Sequence, residues 1–335
     1  MSALNRIAVR AALCAFLYGC LIALNGHASL AQQTQTATQA TPSRPDGDDS
    51  IILTVTVTNK KGAYVGGLSK SNFILYEDKA PHETTFFTNR DEPLSVGLVF
   101  DASASMAVPG SNLANPATML KPLIKGVARF LSLSNGSNEY FLIGFNTQPQ
   151  LLVDWTRNPR TILDTLSTVR SKGNTALFDA CYLSAAKTMN GQHRKRVLIL
   201  ITDGLDNVSK YKFSELRKLV RQSDLLIYTL KIPNDFNPGI ALQEDTRDKL
   251  DELAKDSGGR VFSPQNEMEL AEAFETLATE LRHQYTIGFK PSIPPGNKKW
   301  RPLKVSLTLP ANAPFEMQQL RVRNRAGYYA AENPR

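Results

Sequence analysis

The order of hydrophobic and polar residues divides the chain into a central region, where strands and helices alternate, and two flanks rich in strands. Residues 51–58 are mostly β-branched and alternate between two faces, which predicts a strand with one polar face. Two further short strands are predicted at 73–77 and 83–87. Four continuous apolar runs, typical of strands buried on both faces of a parallel sheet, occupy 95–100, 140–145, 197–201 and 225–230.

Segments with helical periodicity separate these runs. Helices are predicted at 116–131, 176–189, 213–223 and 267–282. The last has its apolar residues on one face, at Leu270, Phe274, Leu277 and Leu281. Strands alternating with helices from 95 to 282 predict a doubly wound α/β domain with a mostly parallel sheet.

The C-terminal flank returns to a strand pattern. Three strands are predicted there, at 284–289, 303–309 and 319–330. We predict that the flanks, 51–92 and 283–330, pair to form one small β-sandwich, because two separate flanks would each leave exposed sheet edges. The α/β domain, 93–282, is then inserted in the sandwich.

The first 31 residues have the features of a secretory signal peptide. Arg6 and Arg10 form a basic region that precedes an apolar stretch. Small residues at Ser29 and Ala31 then predict cleavage after Ala31. An uncleaved anchor is the alternative, but the 14 residues of Ala11–Leu24 are few for a hydrocarbon core about 30 Å thick. We expect a secreted, periplasmic or cell-envelope protein with no transmembrane domain after cleavage.

The composition is that of a globular protein without disulfides. Of the 335 residues, 42% are hydrophobic, and the formal net charge is +8. Residues 32–50 are polar and are predicted to be a disordered linker. Cleavage of the signal removes two of the three cysteines and leaves Cys181, which we expect in the core of the α/β domain.

Oxygen-bearing side chains follow the apolar runs where the strands are predicted to end. Asp101, Ser103 and Ser105 follow the first run, and Asp203 follows a later one. Thr175 opens a helix between them. In an open α/β sheet, ligands bind beyond the carboxyl ends of the strands, so we expect these side chains at one rim. Hydroxyl and carboxylate oxygens suit Mg²⁺, with Mn²⁺ or Ca²⁺ possible, better than Zn²⁺.

These five positions, in this order and on these elements, resemble the complete metal-ion-dependent adhesion site of von Willebrand factor type A (VWFA) domains. The resemblance covers roughly residues 93–282. The flanks, at 67–78 and 325–330, resemble the VWFA-related proteins abundant in Acidobacteria, which implies an exported bacterial protein.

The resemblance also implies a role for each ligand. Ser103 and Ser105 bind the metal directly, and Thr175 binds directly or through water. Asp101 and Asp203 act mostly through water. A Glu or Asp of a partner protein completes the metal's coordination, so the expected function is a metal-dependent, adhesion-type protein-interaction module.

Enzyme activity is not expected, although a Mg²⁺-dependent hydrolase is a weaker alternative. Receiver domains and haloacid-dehalogenase-type phosphatases need a second carboxylate beside the strand-end aspartate, whereas Asp101 is followed by Ala and Ser103. Asp206 lies near the same rim, either as a turn residue or as an indirect support of the site.

A further alternative is binding of an anionic envelope polymer by the basic C-terminal flank. Residues 282–335 contain 10 Lys or Arg and 2 Glu. Arg321, Arg323 and Arg325 alternate and are expected on one strand face. The competing interpretation is a solvated face that discourages edge-to-edge pairing. We expect no nucleic-acid partner for an exported protein.

Overall fold

The computed structural model describes residues 50–106, 117–204, 206–232, 244–291, 299–309 and 319–329. The predicted signal peptide and residues 32–49 of the predicted linker lie outside the described residues.

The central α/β domain has a six-stranded sheet. Its strands are β5 (Leu94–Asp101), β6 (Glu139–Phe145), β7 (Pro149–Thr156), β8 (Lys195–Thr202), β9 (Leu225–Lys231) and β10 (Arg260–Phe262). Their order is β10-β9-β8-β5-β6-β7, and all neighbours are parallel except β6 and β7. Every residue of β5, β6 and β9 is buried, as continuous apolar runs require.

Helices cover both faces of this sheet. They are α1 (Ala117–Leu133), α2 (Pro159–Thr168), α3 (Leu177–Thr188), α4 (Phe213–Gln222), α5 (Glu244–Ser257) and α6 (Glu267–Arg282). Apolar residues of α1, α2 and α6 pack in one core, and those of α3, α4 and α5 pack in another. The predicted doubly wound fold is confirmed. Cys181 is buried in the second core, as expected.

The flanks form two four-stranded antiparallel sheets. Their strands are β1 (Ile51–Thr58), β2 (Phe73–Glu77), β3 (Ala80–His82), β4 (Phe86–Thr88), β11 (Tyr285–Phe289), β12 (Trp300–Leu307), β13 (Arg321–Arg323) and β14 (Gly327–Tyr329). The orders are β13-β1-β11-β4 and β14-β12-β2-β3, so each sheet combines strands from both flanks. Leu53, Leu75, Ile287 and Val305 share one apolar core. The predicted sandwich is confirmed.

The strand predicted at 83–87 is wrong. Residues 80–82 form β3, which pairs with β2, whereas residues 86–88 form β4, which pairs with β11 in the other sheet. The intervening residues carry the chain from one sheet to the other and cannot remain in one strand. The segment predicted as a strand at 319–330 is divided in two, because β13 ends at Arg323 before β14 begins at Gly327.

A buried ionic network holds the second sandwich sheet together. Arg301 lies 3.1 Å from a Glu77 carboxylate oxygen, and the Tyr328 hydroxyl donates to that same oxygen over 2.5 Å. His82 lies 3.3 Å from the other oxygen. The acidic residue of one flank thus meets the tyrosine of the other, and both belong to the segments that carry the flank resemblance.

A second polar network joins the sandwich to the α/β domain. The buried Glu280 of α6 lies 2.6 Å from Arg323 of β13 and accepts a 2.6 Å hydrogen bond from Tyr228 of β9. Gln284 donates to Tyr228 and, at 3.0 Å, to Thr56 of β1. Four elements from both parts of the fold therefore share one cluster.

A glycine at the end of α5 allows the sandwich to approach the α/β domain closely. Gly258 follows α5 with a φ of +85°, a conformation typical of a helix end, and a Cβ there would lie 2.6 Å from the backbone nitrogen of Arg325. Within the described ranges, no helix combines the length and apolar character needed to cross a bilayer.

We predict that Glu77→Gln lowers the free energy of unfolding by about 3 kcal/mol, because Arg301 loses a buried carboxylate partner. Tyr328→Phe removes only the hydroxyl and is expected to cost about 1–2 kcal/mol. Denaturant unfolding measures both, with Lys304→Gln, an exposed charge on the same sheet, as the control. Losses below about 0.5 kcal/mol in both Glu77→Gln and Tyr328→Phe, no larger than that of the control, would contradict this role for the network.

Candidate metal centre

The first part of the candidate site is the turn that follows β5. The completely buried Asp101 accepts a 2.9 Å hydrogen bond from the Ser103 backbone N–H, which closes the chain into a tight turn. Its other oxygen accepts a 2.6 Å hydrogen bond from the Thr202 hydroxyl. The turn places the hydroxyl oxygens of Ser103 and Ser105 3.0 Å apart.

Backbone hydrogen bonds attach a second loop to this turn. The Ala104 N–H donates to the Gly173 carbonyl over 3.0 Å, and the Lys172 N–H donates to the Ala102 carbonyl over 2.8 Å. Gly173 has a φ of +79°, in the region that favours glycine. The loop leads directly to Thr175, whose side chain is therefore carried to the same end of the sheet as Asp101.

A third loop, which follows β8, fixes Thr175. The Thr175 backbone N–H donates to the Asn207 side-chain oxygen over 2.9 Å, and the Thr175 carbonyl accepts from the Asn207 backbone N–H over 3.0 Å. These paired bonds hold the Thr175 backbone on both sides. The same loop contains Asp203, which is 1% exposed.

Asp206 locks the third loop to helix α3. Its carboxylate accepts from the backbone N–H groups of Leu177 and Phe178, at 2.8 and 3.3 Å, and so caps the start of the helix from a distant segment. Asp179, in the first turn of α3, reciprocates by accepting from the N–H groups of Lys210 and Tyr211 at 2.8 Å. Asp206 therefore supports the Thr175 position through the helix.

The two buried carboxylates interact electrostatically. Burial raises the pKa of Asp101 to about 7, and the nearby charge of Asp203 contributes to the increase. Hydrogen bonds from Ser103 and Thr202 act in the opposite direction. Burial and the neighbouring carboxylate thus make a negative charge on Asp101 unfavourable unless a cation compensates it.

The chemistry of this donor set fits a hard divalent cation. Among the described residues, no group of three or more His, Cys, Asp or Glu side chains would hold a metal by itself. The three joined loops carry two carboxylates and three hydroxyls, and such oxygens are the preferred ligands of Mg²⁺, Mn²⁺ and Ca²⁺. A cation would also relieve the repulsion between Asp101 and Asp203.

The three arginines of the C-terminal flank do not form a shared free face. Arg321 is exposed, but Arg323 pairs with Glu280 and donates to the Gly259 carbonyl over 2.8 Å. Arg325 lies 3.6 Å from an Asp224 carboxylate oxygen. The expectation that the three arginines share one strand face is corrected, because β13 ends at Arg323 and Arg325 lies beyond it. The alternative of polyanion binding loses two of its three arginines, because Arg323 and Arg325 pair with acidic groups of their own chain.

Sequence reasoning missed the residues that support the five predicted ligands. Thr202, Asn207 and Asp179 each form a hydrogen bond that shapes a site loop. The only signal was the cluster of Asp and Asn after β8, which includes Asp206 and Asn207. Their partners lie about 30 residues earlier in the chain, so no local pattern identifies them.

A match to a known family agrees with the fold of the central domain. Residues 96–205 match the family model described as the von Willebrand factor type A domain. No curated protein matches the sequence significantly. The resemblance inferred from the five site residues is thereby confirmed for the central domain.

Solved structures of low sequence identity align with parts of the chain. A von Willebrand factor type A protein from Catenulispora acidiphila aligns with a TM-score of 0.46 at 13% identity, over 84% of this chain and 63% of that one. The PilB minor pilin from Streptococcus sanguinis gives 0.47 at 12% identity, over 58% of this chain and 63% of the pilin. The vWF domain of the type V pili tip protein Mfa5 from Porphyromonas gingivalis gives 0.44 at 14%, over 56% and 95%. The chain thus spans less than two thirds of the first two proteins.

We predict that Asp101→Asn stabilises the metal-free protein at pH 8 but not at pH 4. The native pKa of Asp101, about 7, exceeds that of an unfolded aspartate, about 3.9, so the native state binds more protons between these values. Stability therefore falls as the pH rises from 4 to 7. Urea unfolding in EDTA should show a gain of a few kcal/mol at pH 8, at about 1.4 kcal/mol per pKa unit.

The exposed Asp164 of α2 provides the control, and Asp164→Asn should follow the wild-type pH profile. Parallel profiles for the wild type and Asp101→Asn would show that Asp101 does not titrate as described.

Proposed function

We propose that this protein, whose central part matches the von Willebrand factor type A domain, is an exported metal-dependent interaction module of the adhesion type. The observation that carries the proposal is the joining of three loops by the Ala104–Gly173, Lys172–Ala102 and Asn207–Thr175 hydrogen bonds. That joining gathers hydroxyls and carboxylates from distant parts of the chain.

The residues that would hold the metal are Asp101, Ser103, Ser105, Thr175 and Asp203. Mg²⁺ is the first candidate, with Mn²⁺ and Ca²⁺ as alternatives, because all offered ligands are oxygens. When bound, the cation supplies an electrophilic position that accepts a carboxylate oxygen. We propose a Glu or Asp side chain of a partner protein as the source of that carboxylate.

Binding is favoured over hydrolysis by what surrounds Asp101. Its two oxygens accept hydrogen bonds from the Ser103 backbone and the Thr202 hydroxyl, so the carboxylate is engaged in shaping the loop. In-line phosphoryl transfer needs a carboxylate that can act as acceptor or base. We therefore propose that the protein is not an enzyme.

Export is proposed from the N-terminal sequence. The basic, apolar and small-residue regions of 1–31 have the order found in secretory signals. Cys181 is the only cysteine outside this segment, and its thiol is buried. Burial raises the pKa of this thiol well above its usual range. The mature fold thus depends on packing and buried ion pairs, not on disulfides, for stability outside the cytoplasm.

A thermal-unfolding titration with Mg²⁺, Mn²⁺ and Ca²⁺ tests the metal site. A ligand that binds only the native state stabilises it by about 2.7 kcal/mol at a hundredfold excess over Kd. For a chain of this size we expect an increase in Tm of several degrees, at roughly 2–4 °C per kcal/mol. Asp203→Ala should abolish the increase, whereas the exposed control Asp164→Ala should retain it. An equal shift in wild type and Asp203→Ala, or none in either, would contradict the proposed site.

A further inference from the structure

A small groove opens beside the candidate metal centre. It lies between the β6–β7 hairpin, the C-terminal end of α2 and residues 170–172, and its volume is about 260 Å³. Ala102, between Asp101 and Ser103, forms part of its wall. The volume of the groove is smaller than the roughly 300–1,000 Å³ of pockets that bind small molecules. The groove therefore suits one or two side chains of a larger ligand.

Backbone hydrogen bonds fix the groove against the metal loop. The Ala102 N–H donates to the Phe145 carbonyl over 2.7 Å, and the Ala102 carbonyl accepts from the Lys172 N–H. Lys172 also precedes Thr175 by three residues, which places their Cα atoms at most about 11 Å apart. A ligand that reaches the metal with one side chain is therefore within one or two residues of the groove.

The charge of the groove complements an acidic ligand. Its lining includes two exposed cations, Arg170 and Lys172, and the amide side chains of Asn146, Gln148 and Gln150. None of the described lining residues is an Asp or Glu. The positive charge thus lies beside the position where a carboxylate is proposed to bind.

We propose that this groove is a second anion subsite, so that the partner presents an acidic segment with at least one further carboxylate beside the metal-bound one. This inference rests on the proposed function and names the chemistry of its partner. Arg170 and Lys172 bind the additional carboxylate, and the amide groups donate hydrogen bonds to the segment.

Binding of two synthetic peptides to the full mature chain tests the inference. One is acetyl-Glu-Glu-Glu-Glu-Glu-amide, which covers every spacing between carboxylates. The other is acetyl-Gln-Gln-Glu-Gln-Gln-amide, which offers a single carboxylate. Affinities are measured in Mg²⁺ and in EDTA for the wild type, Asp203→Ala, and the double variant Arg170→Gln/Lys172→Gln.

The double variant should lose roughly threefold to tenfold in affinity for the pentaglutamate, the range of two solvent-exposed ion pairs. Its affinity for the single-glutamate peptide should fall by less. The matched control is Lys218→Gln/Lys255→Gln, which removes two exposed charges from α4 and α5 on the opposite face of the sheet. That control should leave both affinities unchanged.

The outcomes separate the two proposals. If neither peptide binds in a Mg²⁺-dependent and Asp203-dependent manner, the proposed function fails. If both bind in that manner but the double variant loses equally little, or equally much, for the two peptides, the second subsite alone is overturned.

Discussion

The burial of Asp101 beside Asp203 is the constraint on which the rest of the structure depends. Taking a carboxylate out of water is costly, and a second one nearby raises the cost. The raised pKa of Asp101 records this penalty. A folded chain sustains such a site only if its stability comes from elsewhere and if the surrounding loops are firmly held.

The central sheet and the sandwich provide that support. β5 is hydrogen-bonded on both sides, to β6 and β8, so Asp101 is fixed at the end of a central strand. The loops are then tied to one another by backbone hydrogen bonds, and Asp206 with Asp179 clamps the third loop to α3. The Glu280–Arg323 ion pair links the α/β domain to the sandwich. The flanks therefore stabilise the α/β domain and are not separate appendages.

Sequence alone predicted the fold class and most elements because buried parallel strands and amphipathic helices leave strong local patterns. The helix at Glu267–Arg282 has the predicted bounds. The edge strand Pro149–Thr156 was missed because it is partly exposed and its apolar residues neither run continuously nor alternate. The role of Asp206, and the pairing of Arg323 and Arg325 with acidic residues of their own chain, depend on tertiary contacts that local patterns do not contain.

Electron paramagnetic resonance of bound Mn²⁺ tests the central claim most directly, because it counts the metal without requiring a partner. The account predicts one Mn²⁺ per chain, displaced by Mg²⁺, with affinity at least roughly tenfold lower in Ser103→Ala/Ser105→Ala. Ser167→Ala, an exposed hydroxyl on α2, should bind as the wild type does. Absence of bound Mn²⁺ in the wild type, or unchanged binding in the double variant, would contradict the assignment of a metal to these loops.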